Sequence, residues 1–159
     1  MTGQFYFTTL AAIALSVAGF ASLVAALRSD GRWSQDDLWR LRSIVRESLT
    51  AVVLSVLPLP IYYAVGGEEP LTIRVASGLI VANFAYAIWG IWRQRKDWKD
   101  AAWIRRAIVL VGLQLLLQLA NVWLASLPLL MFGLLGILVH PMQLFLRVLA
   151  DFRPPLDES

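Results

Sequence analysis

Residues 107–146 read AIVLVGLQLLLQLANVWLASLPLLMFGLLGILVHPMQLFL and hold no Asp, Glu, Lys or Arg. A helix needs about 20 apolar residues to cross ~30 Å of hydrocarbon, so this run is long enough to cross twice. Ser126-Leu127-Pro128 divides it near the middle, and proline in such a setting punctuates helices. The stretch therefore reads as two antiparallel spans, about 107–124 and 129–149, joined by a short uncharged turn.

Working outward, three further apolar blocks lie at about 5–27, 49–65 and 73–92, and no acidic residue falls within any of the five. The chain has 159 residues and is 58% hydrophobic, where a soluble domain is about half apolar. Spans and short connections use the whole length. The sequence predicts one all-α domain over 1–159, a polytopic transmembrane helical bundle of five spans. A re-entrant last pair, or a fifth span lying in the interface, would reduce the count to four. The start, Met1-Thr2-Gly3-Gln4, has no basic residue, and the first apolar run exceeds a signal-peptide core, so it reads as a retained span.

The formal charge is +3, and its distribution orients the chain. Arg28, Arg32, Arg40, Arg42 and Arg46 occupy the first connection; Arg93, Arg95, Lys96, Lys99, Arg105 and Arg106 occupy the third. The second, Gly66-Gly67-Glu68-Glu69-Pro70, is acidic and the fourth uncharged. The positive-inside rule then places the N-terminus outside and the C-terminus in the cytoplasm of a cell with a bacterial-type inner membrane. Trp98 and Trp103, with Arg93, Arg95, Lys96, Arg105 and Arg106, form an aromatic and basic collar expected to bind lipid headgroups. Such interleaving also occurs in single-strand nucleic-acid binders. Here it flanks apolar spans, which favours membrane lipid over nucleic acid. Ser34-Gln35-Asp36-Asp37 resembles a capping box, and Leu38, Leu41, Val45 and Leu49 follow at helical spacing. An amphipathic helix over 34–48 is thus predicted to lead into the second span from the cytoplasmic side.

Polar side chains inside the spans need partners. Gln114, Gln118 and Asn121 share one face of span four. Gly133, Gly136, His140, Gln143 and Arg147 share one face of span five. At 1.5 Å per residue, Gln114 and Gln118 lie ~10 and ~16 Å deep, and His140 lies ~13 Å from its end of span five. The two faces are predicted to meet as a polar seam that Asn83 of span three can join. The seam serves either as helix glue or as a hydrated path in which His140 exchanges a proton, its unperturbed pKa being about 6.5. With no acid read inside the spans, the path is expected to be neutral. Pro58, Pro60 and Pro141 mark expected kinks, because each lacks an amide donor.

The chain has no cysteine and one histidine. It contains no catalytic triad pattern, metal-ligand spacing, phosphate loop or dinucleotide fingerprint, so neither an enzyme nor a resident cofactor is expected. The stretch Ala18–Arg28, with Trp33-Ser34, Arg40-Leu41-Arg42 and Ser48-Leu49, resembles a group of small uncharacterised bacterial integral membrane proteins. That resemblance covers the first third of the chain and implies no activity. The expected function is a homo-oligomeric channel or transporter-like protein with a path near spans four and five. The alternative is a non-transporting accessory or scaffold subunit of a larger membrane complex.

Overall fold

A computed structural model describes residues 1–27, 35–94 and 101–151. Among them are six helices: α1 (Gln4–Leu27), α2 (Gln35–Val56), α3 (Pro58–Ala64), α4 (Glu69–Gln94), α5 (Ala101–Leu124) and α6 (Leu127–Asp151). The predicted all-helical bundle is what the chain forms. Gln4–Ala26, Leu38–Ala64, Glu69–Gly90 and Leu127–Leu149 are long and apolar enough to cross a membrane, by length and composition. The apolar part of α5, Ile108–Leu124, is shorter, although the helix itself runs for 24 residues.

Contacts fix the polarity of each helix. The Tyr6 hydroxyl donates to the Met131 carbonyl at 2.8 Å, and the Phe20 and Phe145 rings lie 6.5 Å apart. Both pairs have the same sequence offset, so α1 and α6 run parallel. The Thr2 amide donates to the Glu69 carboxylate, which sets the start of α4 beside the start of α1. Gln118 reaches Leu129 and Glu47 reaches His140, so α5 and α2 run the other way. Direction alternates along the chain, as five successive passes require. The connections at Gly66-Gly67 and Ser126 therefore share one end. Arg40, Arg42, Arg93, Arg105, Arg106 and Arg147 gather toward the other, and Arg74 stands apart from them.

The second apolar block differs from the prediction. The helix begins at Gln35, next to the predicted start at 34, but its apolar span already begins at Leu38, well before residue 49. Ser43, Ile44 and Ser48 are buried against neighbouring helices, so the amphipathic lead-in belongs to the bundle. Trp33 and Ser34 lie outside the described residues. Pro58 separates α2 from α3, yet Leu57 keeps helical angles (φ −56°, ψ −34°). Ile61 N–H still reaches the Leu57 carbonyl at 3.2 Å. The chain thus passes Pro58 and Pro60 with weakened pairing rather than a turn. Pro141 sits within continuous α6. The α3–α4 turn uses Gly66 and Gly67 at φ +72° and +85°, where a side chain would be strained.

Two apolar clusters hold the helices together. One contains Phe7, Leu10, Ile80, Leu130 and Leu134 at the glycine-turn end; the other contains Val17, Ala21, Ile44, Leu144 and Val148 toward the basic end. On α1 the buried small residues are Ala11, Ala14, Ala18 and Ala21, at steps of three and four. Four residues overshoot one 3.6-residue turn, so the contact line shifts back by one.

Ala125 adopts φ +50° at the α5–α6 turn, a left-handed conformation that costs a Cβ-bearing residue about 1–2 kcal/mol. Ala125→Gly is expected to stabilise the bundle by up to about 1 kcal/mol in a chemical unfolding titration in micelles.

Candidate functional site

Gly133 and Gly136 form two hollows on α6, and glutamines of α5 fill them. A Cβ at Gly133 would overlap the Gln118 amide, and one at Gly136 would stand 2.6 Å from Gln114 Nε2. Gln118 is fully buried and its Nε2 donates to the Leu129 carbonyl at 2.6 Å. One turn on, Asn121 Nδ2 donates to Ser77 Oγ of α4 at 2.9 Å. Its Oδ1 accepts the Ser126 amide at 2.8 Å, tying the turn before α6 back to α5. Of the residues on the two predicted faces, Gln118 and Gln114 thus lie against Gly133 and Gly136. The side-chain oxygens of Gln114 and Gln118 are buried with no hydrogen-bond donor among the described residues.

His140 does not join that seam. It faces α2, where its Nε2 lies 3.5 Å from Glu47 Oε2. The other carboxylate oxygen, Oε1, lies 3.9 Å from Arg46 Nη2. His140 is ~20 Å along α6 and Glu47 ~18 Å along α2 at 1.5 Å per residue, so the contact sits at mid-depth in both. The side chains are 37% and 27% exposed, because both border a cavity of about 290 Å³. Arg46, Glu47, Thr50, Asn83, Tyr86 and His140 supply its polar wall, and Phe84 and Ile137 its apolar one. The cavity extends from Trp39 and Gly90, near the basic end, to Asn83 and Gly136 at mid-depth. The apolar cluster around Phe7, Leu130 and Leu134 fills the opposite half.

The expectation of a neutral interior is thereby overturned. Sequence reading began the second span after Glu47, and the fold carries that carboxylate inward. The recurrence of Leu38, Leu41 and Val45 was the available signal, because an apolar stripe already running at residue 38 places Glu47 inside the helix that packs. Asn83 lines the cavity. Gln143 is exposed and lies outside both seam and cavity.

The basic collar is partly in view. Arg93, Arg105 and Arg106 are exposed, and the Arg93 guanidinium stacks 5.4 Å from the Trp89 ring, a favourable cation–aromatic arrangement. Arg95, Lys96 and Trp98, and the side chain of Trp103, lie outside the described residues. No group of three or more metal-ligating side chains occurs among the described residues.

Chemically, the Glu47–His140 contact brings two groups that can each hold a proton within 3.5 Å of one another. A protonated Glu47 beside neutral His140, and ionised Glu47 beside protonated His140, carry the same net charge and differ only in where one proton sits. At 3.5 Å the groups are at the outer edge of hydrogen bonding, and a small side-chain rotation closes the gap. Arg46 on the other oxygen supplies a permanent counter-charge. Comparison with protein-family models, curated proteins and solved structures gives no match.

The seam makes two predictions. Gly133→Ala should destabilise the bundle by about 1–3 kcal/mol, because Gln118 must leave its hollow. Gly112→Ala, with open space around it, should be neutral or slightly stabilising in the same unfolding titration. Asn121→Leu removes the Ser77 and Ser126 contacts together and should cost about 1–2 kcal/mol.

Proposed function

We propose that this chain is a small transporter-like protein of a bacterial inner membrane, and that its substrate path runs through the α2–α4–α6 cavity. The observation that carries the reading is the Glu47–His140 contact at mid-depth on the wall of that cavity. Ionisable residues inside membrane helices are costly and mark ion, proton or substrate pathways. The cavity occupies one half of the bundle and packed apolar side chains the other. That asymmetry favours a carrier that exposes its site to one side at a time over an open channel.

The Gln114–Gln118–Asn121 seam is then the rigid joint between α5 and α6, and the earlier idea of a path along it gives way to one on the opposite side of α6. The basic end faces the cytoplasm by the positive-inside rule, with the N-terminus outside, and its arginines rest among lipid headgroups. So small a bundle works as a homo-oligomer. The chain is not an enzyme in this reading, and it needs no cofactor.

Proteoliposomes carrying an internal pH dye test the proposal. An imposed pH gradient should collapse faster with wild-type protein than with empty vesicles. Glu47→Gln and His140→Ala should each lower the rate at least tenfold while the protein stays folded. Wild-type rates equal to empty vesicles, under every gradient and added solute, would leave the accessory-subunit reading in place.

A further inference from the structure

Glu47 stands between two bases, with one oxygen turned to each. Oε1 faces Arg46 at 3.9 Å and Oε2 faces His140 at 3.5 Å. With His140 neutral, Arg46 neutralises the carboxylate. Once His140 gains a proton, it can take over that role and leave the guanidinium to another anion. We propose that the cavity binds a small organic monocarboxylate together with one proton, the carboxylate on Arg46 and the proton on His140.

Charge balance selects this ligand class. With no proton on Glu47 or His140, the wall carries Arg46 positive and Glu47 negative and sums to zero. A monoanion arriving with a proton gives two pairs, ligand with Arg46 and Glu47 with His140, and the total stays zero. A monoanion without a proton would leave one negative charge over. An organic cation on Glu47 would compete with Arg46 for Oε1, whereas a monoanion can reach the Arg46 guanidinium, whose side chain is 70% exposed, without displacing it. The proton comes from the aqueous phase to His140 Nε2, so that no bond other than N–H forms.

The surroundings agree. The Asn83 amide is a neutral donor on the same wall, the Thr50 hydroxyl donates to the Arg46 carbonyl at 2.9 Å and keeps its lone pairs, and Phe84 and Ile137 can cover an apolar body. About 290 Å³ is at the lower end of small-molecule sites. Among other charged groups, α4 contributes Arg93, two turns from Tyr86, and α6 contributes Arg147, two turns from His140. Arg42 lies one turn from Arg46 on α2. All three stand toward the basic end and add positive potential that draws an anion in. Neither α1 nor the Ile108–Leu124 part of α5 carries a charged residue.

The proposal rests on the transport reading for its purpose, but binding is measurable separately. Titration calorimetry of the full chain in lipid nanodiscs, with benzoate as probe, is run in two buffers of different ionisation enthalpy. Wild type should take up close to one proton per benzoate, and affinity should fall about tenfold per pH unit once His140 must be protonated on binding. Arg46→Gln should weaken binding at least tenfold. Glu47→Gln should separate the two events: Arg46 is already released, so benzoate binds without proton uptake and with little pH dependence. A structural role for Glu47 would instead lose binding altogether. Wild-type binding without proton uptake, preference for benzylammonium over benzoate, or no benzoate binding at millimolar concentration by folded protein would each overturn the proposal. Proton-linked binding with no benzoate entry into proteoliposomes would support it while sinking transport. Proton flux without benzoate binding would do the reverse.

Discussion

In hydrocarbon a backbone amide or carbonyl has no water to turn to, and leaving one unpaired costs several kcal/mol. Everything else in this bundle is arranged around that constraint. Each pass is a helix that satisfies itself, and departures fall where other groups compensate. Gly66 and Gly67 take the left-handed angles of one turn. Ala125 takes the same kind of conformation at another turn, where the Asn121 side chain accepts the Ser126 amide. Pro58 and Pro60 remove donors, yet the helical angles of Leu57 let the segment continue.

With the backbone satisfied internally, side chains decide how helices meet. Apolar side chains gain little from one another in lipid, so close packing and polar contacts carry the association. The α5–α6 joint uses both: glycine hollows admit glutamine side chains, and Gln118 donates across the interface to the Leu129 carbonyl. The α2–α6 contact has a different chemistry. There a carboxylate and an imidazole approach across a cavity, flanked by a guanidinium. A rigid polar joint on one side of α6 and an ionisable contact on the other give a single helix two roles. α6 is anchored by Gly133 and Gly136, and it presents His140 to a partner whose charge can change.

Much of this was legible before any coordinates. The helical class, the approximate spans, the alternation of basic with acidic or uncharged connections, and the Gln114–Gln118–Asn121 face all follow from periodicity and charge. The role of Glu47 was not legible. Hydropathy averages over a window, and Arg40, Arg42, Arg46 and Glu47 together pull the average down until the span seems to start after them. Charges placed one helical turn apart on a single face can all point at a cavity or toward the membrane surface, and a linear average does not see faces. His140 was likewise assigned to the seam, because its i, i+3, i+4 spacing from the glycines is compatible with a shared face. A seven-residue step still leaves room for rotation around the helix, and packing against α2 used it.

The amino-acid sequence by itself determined that the chain folds as apolar helices with its positive charge gathered at one end, because length, hydropathy and loop charge are properties of residues in order. It also determined the glycine–glutamine match, whose parts lie on neighbouring helices joined by a short turn. Only the tertiary structure decided which face of α6 meets α2, and with it the approach of Glu47 to His140. Residues 47 and 140 are joined by no local rule. Their meeting depends on how several helices rotate and pack at once, and that arrangement alone turns a charge at the rim of a predicted span into one member of an ionisable pair on a cavity wall.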